Sequence, residues 1–188
     1  KAATGCRIAG PAMEAARIPG LDLGVVDGSC FMLGDSAAQV LFTPGHTRGH
    51  IAWWFAAERA LFCGDTLFSL GCGRLFEGDA ATMWASLSKL AALPADTQVF
   101  CAHEYTLANA RFALAMDAEN RALRERVAAV HALRERGAPS IPALLSDELA
   151  CNPFLRAADP ALAAALGMAD APAVDVFAQL RQRKDVFR

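Results

Sequence analysis

Three histidines and one aspartate follow apolar stretches of this sequence, at positions where their side chains could share a ligand. His46 and His50 lie in the string TPGHTRGH, Asp65 lies in CGDTLF and His103 lies in CAHEYT. Each stretch reads as a strand, and strand ends of an α/β sheet are where ligand sites collect. Imidazole nitrogens and carboxylate oxygens are ligands of zinc and of harder divalent metals. The long intervals between these residues match no short zinc-binding motif. The residues alone therefore predict no more than a candidate metal site in an α/β domain.

The elements that must position these side chains are short strands in the first part of the chain. Runs rich in β-branched and aromatic residues predict strands at 37–43, 51–55, 60–63 and 98–101. One helix interrupts them after Asp79, a residue suited to be its N-cap. The apolar face expected for this helix consists of Met83, Trp84, Leu87, Leu90 and Ala91. Strands interleaved with a helix predict an α/β domain.

The later part of the chain is helical in pattern. Apolar residues at helical spacing predict helices at 117–136 and 159–166, and a last helix that begins at Pro172. Gly137 is suited to end the first of them. The change from strand-like to helical patterns predicts a domain boundary near residue 104.

The composition excludes several classes of protein. Hydrophobic residues make up 54% of the 188 positions, which is too many for an intrinsically disordered chain. A net charge of −2 creates no positive field that would attract nucleic acid or anionic lipid. The longest apolar runs, such as 51–57, are much shorter than a membrane span. The six cysteines include no Cys-x-x-Cys pair, which indicates free thiols and a reducing compartment.

Longer strings around these residues resemble a known group of enzymes. The chain contains, in this order, TPGHTRGH, GDTLF, GCGRLFEG and CAHEYT, and together they resemble hydrolases of the metallo-β-lactamase fold. The resemblance narrows to the glyoxalase II family, the hydroxyacylglutathione hydrolases, through GCGRLFEG, HEYT, Asn152-Pro153-Phe154 and the terminal LRQRKD. It extends over nearly the whole chain from about Val25.

The resemblance implies an α/β fold of four layers, the metallo-β-lactamase-like αββα sandwich, followed by a C-terminal helical domain. The family's first motif, His-x-His-x-Asp-His, does not occur, and no histidine precedes His46. We therefore expect the sandwich to be N-terminally incomplete. Residues 1–104 are expected to be the C-terminal portion of the metallo-β-lactamase-like domain, and residues 105–188 the helical domain that binds glutathione thioesters.

The resemblance also implies roles for the histidines and the aspartate. His46, Asp65 and His103 match metal ligands of the family, and Asp65 matches the carboxylate that bridges two metals. These three residues would act in catalysis through the bound metal. Two divalent metal ions are implied for the intact protein, with zinc expected and iron or manganese also compatible. His50 is expected to support the site and His131 to lie on the surface.

Four further residues match positions that bind glutathione in the family: Arg74, Tyr105, Arg181 and Lys184. Arg181 and Lys184 are three positions apart and share one face of the last helix, so both could reach a carboxylate. Two cations near a helix C-terminus are also favoured by the helix dipole alone. Phe76 stands where some family members have Tyr, and Asn152 is expected to fix the turn before Pro153.

The implied reaction is hydrolysis of S-(2-hydroxyacyl)glutathione, for example S-lactoylglutathione, to glutathione and a 2-hydroxy acid, as in methylglyoxal detoxification. A metal-activated water would attack the thioester, and a thiolate leaving group with a pKa of roughly 8.5 needs little help from an acid. Two other interpretations stay open: an iron persulfide dioxygenase of the same superfamily, and an inactive remnant that binds glutathione or nothing. For the hydrolase we expect a cytoplasmic monomer with a small-molecule partner and no nucleic-acid or membrane partner.

Overall fold

The computed structural model describes residues 1–187, and ten strands and six α-helices lie within that range. The strands are β1 (Ala9–Pro11), β2 (Leu23–Val25), β3 (Cys30–Leu33), β4 (Ser36–Phe42), β5 (Ile51–Phe55), β6 (Ala60–Gly64), β7 (Leu67–Phe68), β8 (Gly71–Cys72), β9 (Gln98–Cys101) and β10 (Ala143–Leu144). A 3-10 helix at Ala12–Arg17 joins β1 to β2.

The helices divide between the two parts of the chain. They are α1 (Ala80–Ala91), α2 (Thr106–Met116), α3 (Arg121–Glu135), α4 (Leu145–Cys151), α5 (Pro160–Ala165) and α6 (Ala173–Val186). The start of α1 is fixed by Asp79, whose carboxylate accepts a hydrogen bond from the Thr82 backbone N–H at 2.8 Å. Asp79 is therefore the N-cap that the sequence predicts.

Six strands form one sheet in the order β10-β9-β6-β5-β4-β3. Strands β3 to β6 are antiparallel neighbours, whereas β6 and β9 run parallel because α1 crosses between them. The parallel pair brings the carboxyl ends of β6 and β9 to the same edge of the sheet. Asp65 follows β6 directly and His103 comes two residues after β9, so the topology alone brings both to this edge.

One face of the sheet packs against helices and forms the main core. Ala52, Trp54, Leu61 and Val99 point to this face, where they meet α1 and α6. Phe177 on α6 is fully buried in the same cluster. Burial of these apolar side chains is the main force that holds the helices on the sheet.

The opposite face of the sheet carries a row of aromatic side chains. Trp53, Phe62 and Phe100 are in register across β5, β6 and β9, and the rings of Phe62 and Phe100 stack with centroids 4.8 Å apart. Phe62 is 44% exposed. A four-layer sandwich contains two large sheets, and residues 1–187 form one of them.

Most of the predicted elements are found, and one boundary was wrong. The four predicted strands correspond to β4, β5, β6 and β9. The helix predicted from residue 117 begins instead at Arg121, because Asn120 is its N-cap and accepts a hydrogen bond from the Leu123 N–H at 3.1 Å. Asp117 lies outside this helix and pairs with Arg156. No bounds were predicted for the helices α2 and α4 or for the strands β1, β2, β3, β7, β8 and β10.

The helices and the cysteines can be compared with what the composition predicts. Within residues 1–187, no helix is both long enough and apolar enough to cross a membrane. All six cysteines lie in this range and none is paired with another.

Candidate active site

A cavity of about 560 Å³ opens between the sheet edge where β6 and β9 end and the helices α2 and α6. Every residue predicted for catalysis or substrate binding lines it. These residues are His46, Asp65, Arg74, His103, Tyr105, Arg181 and Lys184. Ligand-type side chains and cations are thereby brought within reach of one small molecule. Their individual roles stay predictions.

His46 lies in the loop that follows β4, and its ring is held in one orientation. Nδ1 donates a hydrogen bond to the backbone carbonyl of Arg74 at 2.9 Å, since a carbonyl oxygen can only accept. In the neutral imidazole this leaves the Nε2 lone pair available to a ligand. Phe76 packs against the ring, with centroids 4.8 Å apart. A Cβ atom at Gly73 would collide with the Asp65 carbonyl and approach His46, so only glycine fits there.

Asp65 and His103 are in direct contact. The Nε2 atom of His103 lies 3.3 Å from Oδ1 of Asp65, and both side chains are partly exposed to the cavity. The His103 ring stacks on Tyr105 with centroids 4.9 Å apart, and Tyr105 meets Phe68 edge-on at 5.3 Å. The aromatic stack limits the orientations that the His103 imidazole can adopt.

His50 bonds to the backbone of Asp65, which agrees with the supporting role expected for it. Its Nε2 accepts a hydrogen bond from the Asp65 backbone N–H at 3.1 Å, so the ring proton is on Nδ1. Nδ1 lies 3.1 Å from the hydroxyl oxygens of both Thr43 and Thr66. Burial lowers the pKa of His50 and outweighs the opposite effect of the Asp65 charge. His50 is therefore neutral at pH 7 and fixes the backbone that carries Asp65.

The three predicted ligands suit a divalent metal ion in chemistry, but they are too few for two ions. Two imidazoles and a carboxylate suit zinc, iron or manganese, and the hydrogen bond on Nδ1 of His46 is typical of a metal-bound histidine. Within residues 1–187, however, no group of three or more His, Cys, Asp and Glu side chains is arranged to hold a metal ion. A catalytic zinc ion takes three protein ligands and keeps one position open, so three such side chains could hold one ion but could not enclose two.

Lys184 lies partly buried in the cavity wall. Its Nζ donates to the Ala108 carbonyl at 3.3 Å and lies over the rings of Phe112 and Phe187, at 5.3 and 5.7 Å from their centroids. Burial lowers the pKa of Lys184, and the neighbouring guanidinium groups, first that of Arg181, lower it further. An anion that enters the cavity would relieve this repulsion.

Arg181 is built into the wall of the cavity. The side chain is almost fully buried, and Nη1 donates to the carbonyl of Cys72 at 3.0 Å while Nη2 donates to Asp185 at 2.8 Å. The guanidinium also lies over the Phe154 ring, 5.3 Å from its centroid.

Several cavity residues were not predicted. Phe68, Cys72 and Asn109 line the cavity together with the predicted residues. The strings GDTLF and GCGRLFEG contain the first two, but nothing in the strings distinguishes their side chains from packing residues. Burial raises the pKa of the Cys72 thiol to about 11, so it stays protonated at neutral pH. Of the other histidines, His131 lies exposed on α3, as predicted.

Comparison with known families covers nearly the whole chain. Residues 5–103 match the metallo-β-lactamase superfamily and residues 104–187 match the hydroxyacylglutathione hydrolase C-terminus. Solved structures share the fold at low identity. ETHE1 from Myxococcus xanthus superposes with a TM-score of 0.63 and 21% identity, over 98% of this chain and 61% of that one. The B3 metallo-β-lactamase BLEG-1 superposes with a TM-score of 0.56 and 20% identity, over 82% of this chain and 67% of that one.

Curated relatives are much closer in sequence. A hydroxyacylglutathione hydrolase of Methylococcus capsulatus is 60% identical over 188 residues, which is all of this chain and 73% of the relative. One from Rhodospirillum rubrum is 58% identical over 187 residues and is covered to the same extent. The predicted fold class and family are thus confirmed. This chain belongs to the hydroxyacylglutathione hydrolase, or glyoxalase II, family of the metallo-β-lactamase superfamily.

Proposed function

We propose that the protein hydrolyses thioesters of glutathione with 2-hydroxy acids, such as S-lactoylglutathione. The observation that carries this proposal is a single cavity lined by two chemically different groups of side chains. Histidine and aspartate side chains follow the parallel strands, and cationic side chains of α6 and of the loop after β8 line the same cavity, where Arg181 and Arg74 lie near enough to Lys184 to lower its pKa. An acyl group beside the first group and a glutathione carboxylate beside the second would match this division of charge.

We assign His46, Asp65 and His103 as ligands of divalent metal ions, with additional ligands needed to complete the set. Zinc is the expected metal, and iron and manganese suit the same donors. A metal at this position supplies a Lewis acid and an activated water nucleophile. His50 contributes by holding the backbone of Asp65 at a fixed place. The leaving thiolate needs no acid from the chain, because thiols ionise at roughly pH 8.5.

The cations orient the glutathione part. Lys184 binds a carboxylate of glutathione as a partly desolvated ammonium, and Arg74, which lies in the same cavity, adds a second cation. Tyr105 offers a hydroxyl group and a ring face beside His103. Arg181 keeps the Cys72 carbonyl in place and lines the same cavity as Lys184.

We also propose the division into residues 1–104 and 105–188 as catalytic and substrate-binding parts, and a cytoplasmic monomer as the working form. Support for the location comes from the six unpaired thiols, since disulfides are rare in reducing compartments. Support for the division comes from the cavity, which lies between the two parts and takes lining residues from both.

The test is a thioesterase assay of the purified protein with S-lactoylglutathione, in the presence of zinc, manganese or ferrous ions. We expect release of a free thiol and of lactate in equal amounts. Asp65→Asn should lower kcat and Lys184→Met should raise KM, whereas the exposed variant His131→Ala should change neither. Oxygen consumption with glutathione persulfide would instead identify a dioxygenase, and glutathione binding without turnover of either substrate would identify an inactive remnant.

A further inference from the structure

The turn of the β7–β8 hairpin is bonded almost entirely by side chains from distant helices. This turn, Ser69–Leu70, is buried, so its backbone polar groups cannot bond to bulk water. Three residues bond to the turn and to its flanking carbonyls, and we call them the turn clamp. They are Asn109 on α2, Glu148 on α4 and Asn152 at the end of α4.

Glu148 holds the centre of the turn with both carboxylate oxygens. Oε1 accepts from the Ser69 hydroxyl at 2.9 Å, and Oε2 accepts from the Leu70 N–H at 2.8 Å and from the Asn152 amide at 3.0 Å. The side chain is fully buried, and burial raises its pKa. A fully buried carboxyl group held by three hydrogen bonds is costly to keep, which requires a structural or functional reason.

The two asparagines hold the carbonyls around the turn. Asn152 Nδ2 donates to the Phe68 carbonyl at 3.2 Å and to the Gly71 carbonyl at 3.0 Å. Asn109 Nδ2 donates to the Ser69 carbonyl at 3.1 Å. The turn is also strained: the Leu70 φ angle is 58°, a left-handed conformation that a bulky residue rarely adopts. The turn clamp thus imposes a shape that the turn sequence does not favour by itself.

The hairpin carries two cavity residues at its base. Asp65 comes just before β7 and Arg74 comes just after β8, and between them the Gly73 N–H donates to the Thr66 carbonyl at 3.2 Å. The hairpin therefore holds a predicted metal ligand beside a predicted glutathione contact. Phe68 on β7 lines the cavity and packs against Tyr105 and, at 6.1 Å between centroids, His103. A shift of the turn would therefore move the part of the cavity wall that Asp65, Phe68 and Arg74 form.

We propose that Asn109, Glu148 and Asn152 are positioning residues: by clamping the turn, the helical part of the chain sets the relative positions of Asp65 and Arg74. The kinetic part of this inference rests on the proposed thioesterase function. By this inference the helical part of the chain has two roles: it contacts substrate, and it fixes the shape of the β7–β8 hairpin that lies between Asp65 and Arg74. A misplacement of reacting groups by about 1 Å can lower a rate roughly 100-fold.

The test combines hydrogen exchange with kinetics. Glu148→Ala should speed exchange of the Leu70 amide about 10-fold or more and lower kcat per folded molecule roughly 100-fold, with a smaller effect on KM. Glu148→Gln should restore most of the protection of the Leu70 amide against exchange and most of kcat. Its amide oxygen can accept from Leu70 and Asn152 at the place of Oε2, and its NH₂ can donate to the Ser69 oxygen at the place of Oε1.

The matched control is Asn120→Ala. Asn120 also makes three side-chain hydrogen bonds in the helical part, to Leu123, Asp117 and Ala150, but none to the hairpin. It should lower the free energy of unfolding without changing Leu70 exchange or kcat per folded molecule. If Glu148→Ala does not fold, Ser69→Ala removes a single bond of the turn clamp and should show the same changes to a smaller degree.

The two proposals fail separately. A wild-type protein without thioesterase activity refutes the proposed function, and the exchange rate of Leu70 in the variants still decides whether the turn clamp holds the hairpin. An active wild type whose Glu148→Ala variant keeps its kcat and its Leu70 exchange rate refutes the positioning role. Equal kinetic losses in Asn120→Ala and Glu148→Ala would also refute it, since the effect would then be one of stability.

Discussion

Replacement of Lys184 by methionine removes the charge at the glutathione end of the cavity and keeps the length of the side chain. The aliphatic stem can still cover the rings of Phe112 and Phe187, on which the ammonium group now lies. The lost interactions are therefore the charge and the hydrogen bond to the Ala108 carbonyl. We expect Lys184→Met to fold normally and to bind glutathione less tightly.

The size of the effect follows from the surroundings of Nζ. A hydrogen bond that involves a charged group contributes about 1.5–3 kcal/mol, which is roughly a 10- to 150-fold change in affinity. The lower end applies here, because Arg74 remains in the cavity and because burial already disfavours the charged form of Lys184. We therefore expect the Kd for glutathione to rise about 10-fold. The same cation predicts that affinity falls as pH rises toward the pKa of Lys184, which lies below its ordinary value of 10.5.

The assay is calorimetric titration with glutathione and with its glycine ethyl ester, which lacks one carboxylate. If Lys184 binds that carboxylate, the variant and the ester each weaken binding about 10-fold, and their combination adds little. Lys89→Met is the matched control, because Lys89 is an exposed lysine that bonds to the Phe42 carbonyl. Independent, fully additive losses would show that Lys184 does not bind the glycine carboxylate. An unchanged Kd for Lys184→Met would refute the assignment altogether.

Three further substitutions test the packing of the core, the position of the Asp65 backbone and the stability of the protein at acid pH. Phe177→Ala empties a fully buried site and should lower the free energy of unfolding by about 3–5 kcal/mol in urea titrations, and a loss below 1 kcal/mol would contradict this. Gly73→Ala forces the Asp65 carbonyl aside and should lower kcat roughly 100-fold with the fold retained by circular dichroism. The Arg156 hydrogen bond lowers the pKa of Asp159, so its stabilisation is present above about pH 3.8 and is lost as pH falls through the folded pKa. Asp159→Asn should therefore flatten the dependence of Tm on pH in that acid range, and an unchanged slope would exclude this ion pair.

Elements with local signals were predictable from the sequence, and elements that depend on distant partners were not. α1 has a capping aspartate and an apolar stripe, both of which are visible within a few residues of Asp79. In α4 the inward positions are Leu145, Glu148 and Cys151, so a charged residue interrupts the apolar pattern. β10 has only two residues and becomes a strand through its pairing with β9. Neither property can be recognised without the fold.

The candidate site was predictable through motif order but not through its supporting contacts. His46, Asp65 and His103 follow strands that the sequence predicts, and the parallel pairing of β6 and β9 then brings two of them together. The bond from Glu148 to the turn joins residues 78 positions apart, and that from Arg181 to the Cys72 carbonyl joins residues 109 positions apart. Side-chain contacts at such separations leave no periodic trace in a single sequence.

The position of α6 in the main core has a consequence for synthesis on the ribosome. Strands β4 to β6 and α1 are complete well before α6 is made, yet Phe177 and Leu180 on α6 bury the same apolar cluster as Leu61 and Leu87. During synthesis the chain must therefore keep this apolar surface exposed until α6 is released from the ribosome. Domains made in this order are exposed to aggregation during elongation. Expression at lower temperature or with a chaperone should therefore increase the soluble yield of this chain.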